Sequence, residues 1–92
     1  MSRYEWDSRK DRLNQAKHGV SLEDGASVDL DPLKVIRPDP FHDPSDDRFL
    51  MIGHSNLGVL LIVVTSEHGH RPRIISARRA TKRERHAYEA RS

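Results

Sequence analysis

Arg78 and Arg79 are the side chains here whose type and position best suit chemistry. They end the stretch Arg73-Ile74-Ile75-Ser76-Ala77, which reads as a strand because of its β-branched residues. Alternation predicts that Ile75, Ala77 and Arg79 share one side, with Ile74 and Ser76 on the other. Thr81-Lys82-Arg83-Glu84 follows with the spacing of a capping box, so a helix begins at once. Guanidinium groups beside the amides of a helix N-terminus suit an anion, and the phosphate of RNA or DNA is the first to consider. Cleaving RNA through its own 2′-hydroxyl needs a group to take that proton, cations for the developing phosphorane charge, and an acid for the leaving oxygen. Arg78 and Arg79 can supply charge. Lys10, Lys17, His18, Glu67 and Tyr88 can move protons. The competing reading makes Arg78 and Arg79 structural partners of Glu84 or Asp47.

Other chemistries find little support. His68-Gly69-His70 offers two imidazoles with no third ligand fixed, and His42-Asp43 and Asp46-Asp47 lie in a proline-rich acidic stretch. No metal site is therefore expected, since such a site needs a full ligand set in a defined geometry. A glycine-rich phosphate loop, a nucleophile elbow and a paired-carboxylate signature are all missing, so no cofactor is expected.

The charge distribution supports a polyanionic partner. The net charge is only +2, but residues 71–92 carry eight basic residues against two acidic ones, a balance of +6. The remaining residues carry eight against twelve, a balance of −4. A basic end of this kind fits nucleic acid or an acidic protein competing for the same surface. Arg73, Lys82, Arg83 and Arg85 are the expected RNA contacts, joined by Lys10. An ordinary solvated helix is the plain alternative.

The elements that must position these groups can be read in order. Asp7 caps a helix that runs to His18 and ends at Gly19. Trp6, Lys10, Leu13 and Lys17 fall on one face of it, with Asn14 beside them. That pattern predicts lysine stems laid on the core with their ammonium groups in water. The other reading turns Lys10, Lys17 and His18 toward a site. Ser21 caps a second short helix, with Leu22, Ala26 and Leu30 four apart and Asp31-Pro32 as its stop. Strands are expected at 33–37, 48–54, 59–65 and 73–79. The continuous apolar run Val59–Thr65 should be central, covered on both faces. A final helix runs from Thr81 to about Arg91, anchored only by Ala87 and Tyr88. Arg3–Trp6 reads as a short edge strand.

Short connections favour an antiparallel meander with the helices on one face, an α+β arrangement in a single domain over 1–92. With 92 residues, 35% hydrophobic and 33% charged, one thin core is expected. There is no cysteine, no apolar run long enough for a membrane span and no N-terminal signal pattern, so an intracellular, cytoplasmic protein is the simplest expectation.

The sequence resembles the BrnT family of type II toxins, which are similar to RelE ribonucleases. The resemblance spans nearly the whole chain. It rests on Trp6-Asp7, Lys10, Asn14 and Lys17-His18-Gly19-Val20; then on Asp47-Arg48 and Gly53; then on Arg73 through Thr81, with Glu84, Arg85 and Tyr88. It implies a RelE-like fold with two N-terminal helices, an antiparallel meander and a C-terminal helix. It implies a metal-independent endoribonuclease that inhibits translation. The implied partners are RNA, a ribbon-helix-helix antitoxin (BrnA-like) that neutralises the toxin, and operator DNA bound through the toxin–antitoxin complex. Arg78, Arg79, Lys17, His18 and Tyr88 are the candidate catalytic residues. Two other functions compete: a non-catalytic module binding nucleic acid or protein, and a toxin of RelE/ParE fold aimed at another target such as gyrase.

Overall fold

Four strands pair side by side in the order in which the chain makes them. The computed structural model describes residues 2–41, 47–67 and 69–91. Helix α1 (Ser8–His18) and helix α2 (Leu22–Ser27) come first, and α2 tightens into a 3-10 turn at Val28–Leu30. Strands β1 (Val35–Pro38), β2 (Arg48–His54), β3 (Leu60–Ser66) and β4 (Arg73–Arg79) follow, and helix α3 (Lys82–Ala90) closes the chain. The sheet is an antiparallel meander of order β1-β2-β3-β4.

The caps form where the residue types call for them. The Asp7 carboxylate accepts from the Arg9 and Lys10 amides, and those two bonds hold its pKa below the usual carboxylate range. Gly19 ends α1 with φ 69°, a left-handed conformation that other residues adopt only at a cost. The Ser21 hydroxyl accepts from the Asp24 amide and starts α2.

β3 is buried on both faces, as its unbroken apolar run predicts: Leu60, Leu61, Ile62 and Val63 are all buried. Leu61 and Val63 face α2. The approach is close, for a Cβ added to Gly25 would lie 2.9 Å from the Ala77 Cβ. Tyr4, Val20, Leu22, Ala26, Val28, Met51 and Ile74 complete that core.

Several features depart from the sequence reading. A bulge in the β3–β4 register pairs Val64 with Ser76 and Thr65 with Ile74, leaving Ile75 without an opposite residue. Ile74 therefore joins Ala77 on the core face, and simple alternation fails. Second, the helices do not share one face. Ile62 lies opposite Arg78 and Ile52, on the side of the sheet away from α2, and α3 crosses over that side. Third, α1 buries Asn14 while Leu13 stays 63% exposed, so the Lys10–Leu13–Lys17 stripe faces water. Leu30, expected in the second helix's apolar row, is 82% exposed in the 3-10 turn.

Asn14 explains the rotation of α1. Its amide nitrogen donates to the Ala77 and Val20 carbonyls at 2.8 Å each, and its amide oxygen accepts from the Ala77 amide at 3.2 Å. Ala77 thus has both outward backbone groups satisfied by one side chain, as a neighbouring strand would satisfy them. Further down, the Glu5 backbone takes that place, its carbonyl accepting from the Ile74 amide and its amide donating to the Pro72 carbonyl. This single parallel bridge at Glu5 is what remains of the expected N-terminal strand. The outer edge of β4 is closed to further pairing by these contacts.

Candidate RNA-cleavage site

The core alternation of β4 carries through to Arg79. Leu61 pairs with Arg79 and Val63 with Ala77, so Arg79 leaves the sheet on the α2 side, past the last buried residue. It is exposed, and its guanidinium makes no hydrogen bond or ion pair among the described residues. Asn14 sets α1 alongside. Asp7, at the start of α1, lies within electrostatic reach of Arg73 at the start of β4, and Asn14 meets Ala77, so helix and strand run together. Four further helix residues advance about 6 Å, and two further strand residues advance about 6.6 Å. The last turn of α1, with Lys17 and His18, therefore lies level with Arg79. His18 is half-buried and Lys17 exposed. Lys82 and Arg83, exposed in the first turn of α3, follow Arg79 by three and four positions.

Arg78 has a different task. Its Nη1 and Nη2 donate to the two Glu84 carboxylate oxygens at 2.8 and 2.9 Å. Glu84 also closes the capping box: its carboxylate accepts from the Thr81 amide at 2.8 Å, while the Thr81 hydroxyl accepts from the Glu84 amide at 3.1 Å. The anion at this helix N-terminus is thus Glu84 itself, and the expected open phosphate seat between Arg78 and free amides is already filled. Two neighbouring arginines are sorted by strand alternation, one into a structural pair and one into solvent.

The Arg78 hydrogen bonds, more than any other influence, hold the Glu84 carboxyl down at about 2. A folded-state pKa below the ordinary 4.5 means the pair's stabilisation is complete above pH 4.5 and fades as pH falls through about 2. Both side chains are more than a third exposed or close to it, so solvent weakens the pair. An NMR titration of the Glu84 side-chain carboxyl should find its midpoint near 2. A midpoint at the ordinary value would mean the pair does not form.

Tyr88 lies apart from Arg79, on the opposite side of the sheet. Its hydroxyl donates to the Leu33 carbonyl at 3.2 Å, its ring meets His54 edge-on, and the Arg91 guanidinium lies 4.0 Å from the ring centre. Arg73 donates to Glu5 at 3.4 Å, Lys10 is exposed on the first turns of α1, and Arg85 is exposed on α3. Glu67 is exposed beyond the far end of β3. His42, Asp43, Asp46 and His68, considered above as metal ligands, lie outside the described residues. Among the described residues no group of three or more His, Asp or Glu side chains could hold a metal ion. None of their helices is long and apolar enough to cross a membrane.

Comparison with known proteins gives a family and a matching fold. Residues 6–84 match a family described as the ribonuclease toxin BrnT of type II toxin–antitoxin systems. The fold is similar to the crystal structure of the Brucella abortus ribonuclease toxin BrnT, with TM-score 0.65 and 26% identity, covering 86% of this chain and 96% of that one. No curated protein sequence matches.

Proposed function

The chain belongs to the BrnT family of ribonuclease toxins of type II toxin–antitoxin systems, and from that premise we propose that it cuts RNA without a metal at the Arg79 end of β4. The observation that carries this reading is an exposed guanidinium, unpaired among the described residues, at the end of a strand whose register sets its side of the sheet, level with His18 and Lys17. In the reaction the 2′-hydroxyl oxygen attacks the adjacent phosphorus, and the bond from phosphorus to the 5′ oxygen breaks. His18 takes the hydroxyl proton, and the leaving 5′ oxygen takes one from solvent water. Arg79 meets the extra negative charge of the phosphorane, where fixed cations contribute most. Lys17 adds a second cation. The nucleophile is part of the substrate, so the chemistry calls for no activated water and no metal.

The products are a 2′,3′-cyclic phosphate and a 5′-hydroxyl, and end-mapping of cut RNA in chelator tests the scheme. Cuts leaving a 5′-phosphate would refute it.

In this reading Lys82, Arg83 and Arg85 hold the strand on either side of the cut. Tyr88 takes no part in proton transfer, because it stands on the other sheet face. The toxin is neutralised by a ribbon-helix-helix antitoxin and acts in the cytoplasm on RNA used in translation; operator DNA is reached through the antitoxin complex.

The contribution of α3 to RNA binding has a salt signature. With about four phosphates contacted, and a single-strand slope of roughly −0.7 per phosphate, log affinity should fall with log salt at a slope near −3. Replacing Lys82 and Arg83 by alanine should flatten that slope by roughly 1.4. Filter binding from low to moderate salt measures it, and an unchanged slope would place the RNA away from α3.

A further inference from the structure

We propose that the groove between α3 and the sheet is the docking site for a segment of the antitoxin that carries apolar anchors flanked by carboxylates. This rests on the type II assignment, which calls for a protein partner. The groove encloses about 400 Å³. Its floor is Leu50, Ile52 and Ile62, and its walls are Val35 on β1 and Ala87 and Tyr88 on α3. Helices α1 and α2 lie elsewhere, so among the described elements only α3 reaches over this face.

The cover is incomplete. α3 buries none of its residues. It is held at its ends, by the Arg78–Glu84 pair at one and by Tyr88 and Arg91 donating to the Leu33 carbonyl at the other. Val35, Leu50 and Ile52 are left half-buried beneath it.

The lining selects the occupant. An aliphatic floor offers nothing to phosphates, so RNA gains little here. Apolar anchors in a pocket are where protein partners gain most of their affinity. The charged lining residues are Arg37, Arg91 and Glu84, and Glu84 is engaged by Arg78. A newcomer therefore meets two arginines at the rim, which favours carboxylates beside its anchors and speeds encounter.

The test is calorimetric titration of the intact toxin with purified cognate antitoxin, using Ala87→Glu and Arg37→Glu. Both positions are exposed, and a melting curve for each variant serves as the control for folding. Each substitution should weaken antitoxin binding at least about tenfold and leave RNA cleavage by free toxin unchanged. Wild-type affinity in Ala87→Glu would overturn the proposal. So would a toxin dimer, seen by sedimentation, that Ala87→Glu dissociates, since the groove would then belong to a second copy. Binding is read without RNA, so a failure of the cleavage scheme would show separately, as a wild-type toxin that binds antitoxin but does not cut.

Discussion

Arg79→Ala is expected to lower the rate of RNA cleavage roughly 10²- to 10³-fold, which corresponds to about 2.7–4 kcal/mol of lost transition-state stabilisation. The same change costs about 0.5 kcal/mol or less in stability, because the side chain is exposed and its guanidinium makes no hydrogen bond or ion pair among the described residues. The two effects are far enough apart to measure independently, with cleavage rates on matched amounts of folded protein and melting temperature as control. Arg78→Ala is the contrast. It removes the bidentate partner of Glu84 and loosens α3, so its main effect is on the docking of that helix. An Arg79→Ala protein that cuts normally would remove Arg79 as the phosphate clamp. Normal cutting by both variants would move the cleavage site elsewhere on the molecule.

Sequence alone could not choose between these two arginines. Both precede a capping box, and both had acidic candidates nearby. The choice depends on which sheet face carries α3, and a helix with only Ala87 and Tyr88 as anchors gives no such direction. What could be read was local. Caps at Asp7, Ser21 and Thr81 work through contacts two or three residues away, so they were legible and formed as expected. The apolar run of β3 marked a central strand because only full burial suits four consecutive aliphatic residues.

The bulge at Ile75 was illegible for the opposite reason. It is a property of two strands in register, and nothing in Ile74-Ile75-Ser76 differs from an ordinary strand. The place of Tyr88 among the candidates has the same cause. A tyrosine near a basic helix could serve RNA chemistry, but its hydroxyl is committed to Leu33, 55 positions away.

Asn14→Ala should be the costliest single change in α1, at about 3 kcal/mol. It strands the Ala77 amide, the Ala77 carbonyl and the Val20 carbonyl, and a buried backbone group without a partner costs roughly 1–3 kcal/mol. Water entering the space that the amide vacates would meet some of these groups, which keeps the total below the sum of three such penalties. In a domain of this size each kcal/mol lowers the melting temperature by roughly 4–8 °C, so a drop of about 12–24 °C is expected. Leu13→Ala, one residue earlier, should cost about 0.5 kcal/mol or less, because Leu13 faces water. Hydrophobicity would rank the pair the other way, with the leucine as anchor and the asparagine as bystander. Thermal melts of the two variants therefore decide how α1 is rotated. If Leu13→Ala were the more damaging, α1 would dock through its Lys10–Leu13–Lys17 face. His18 would then turn away from Arg79, and the cleavage site drawn here would come apart with it.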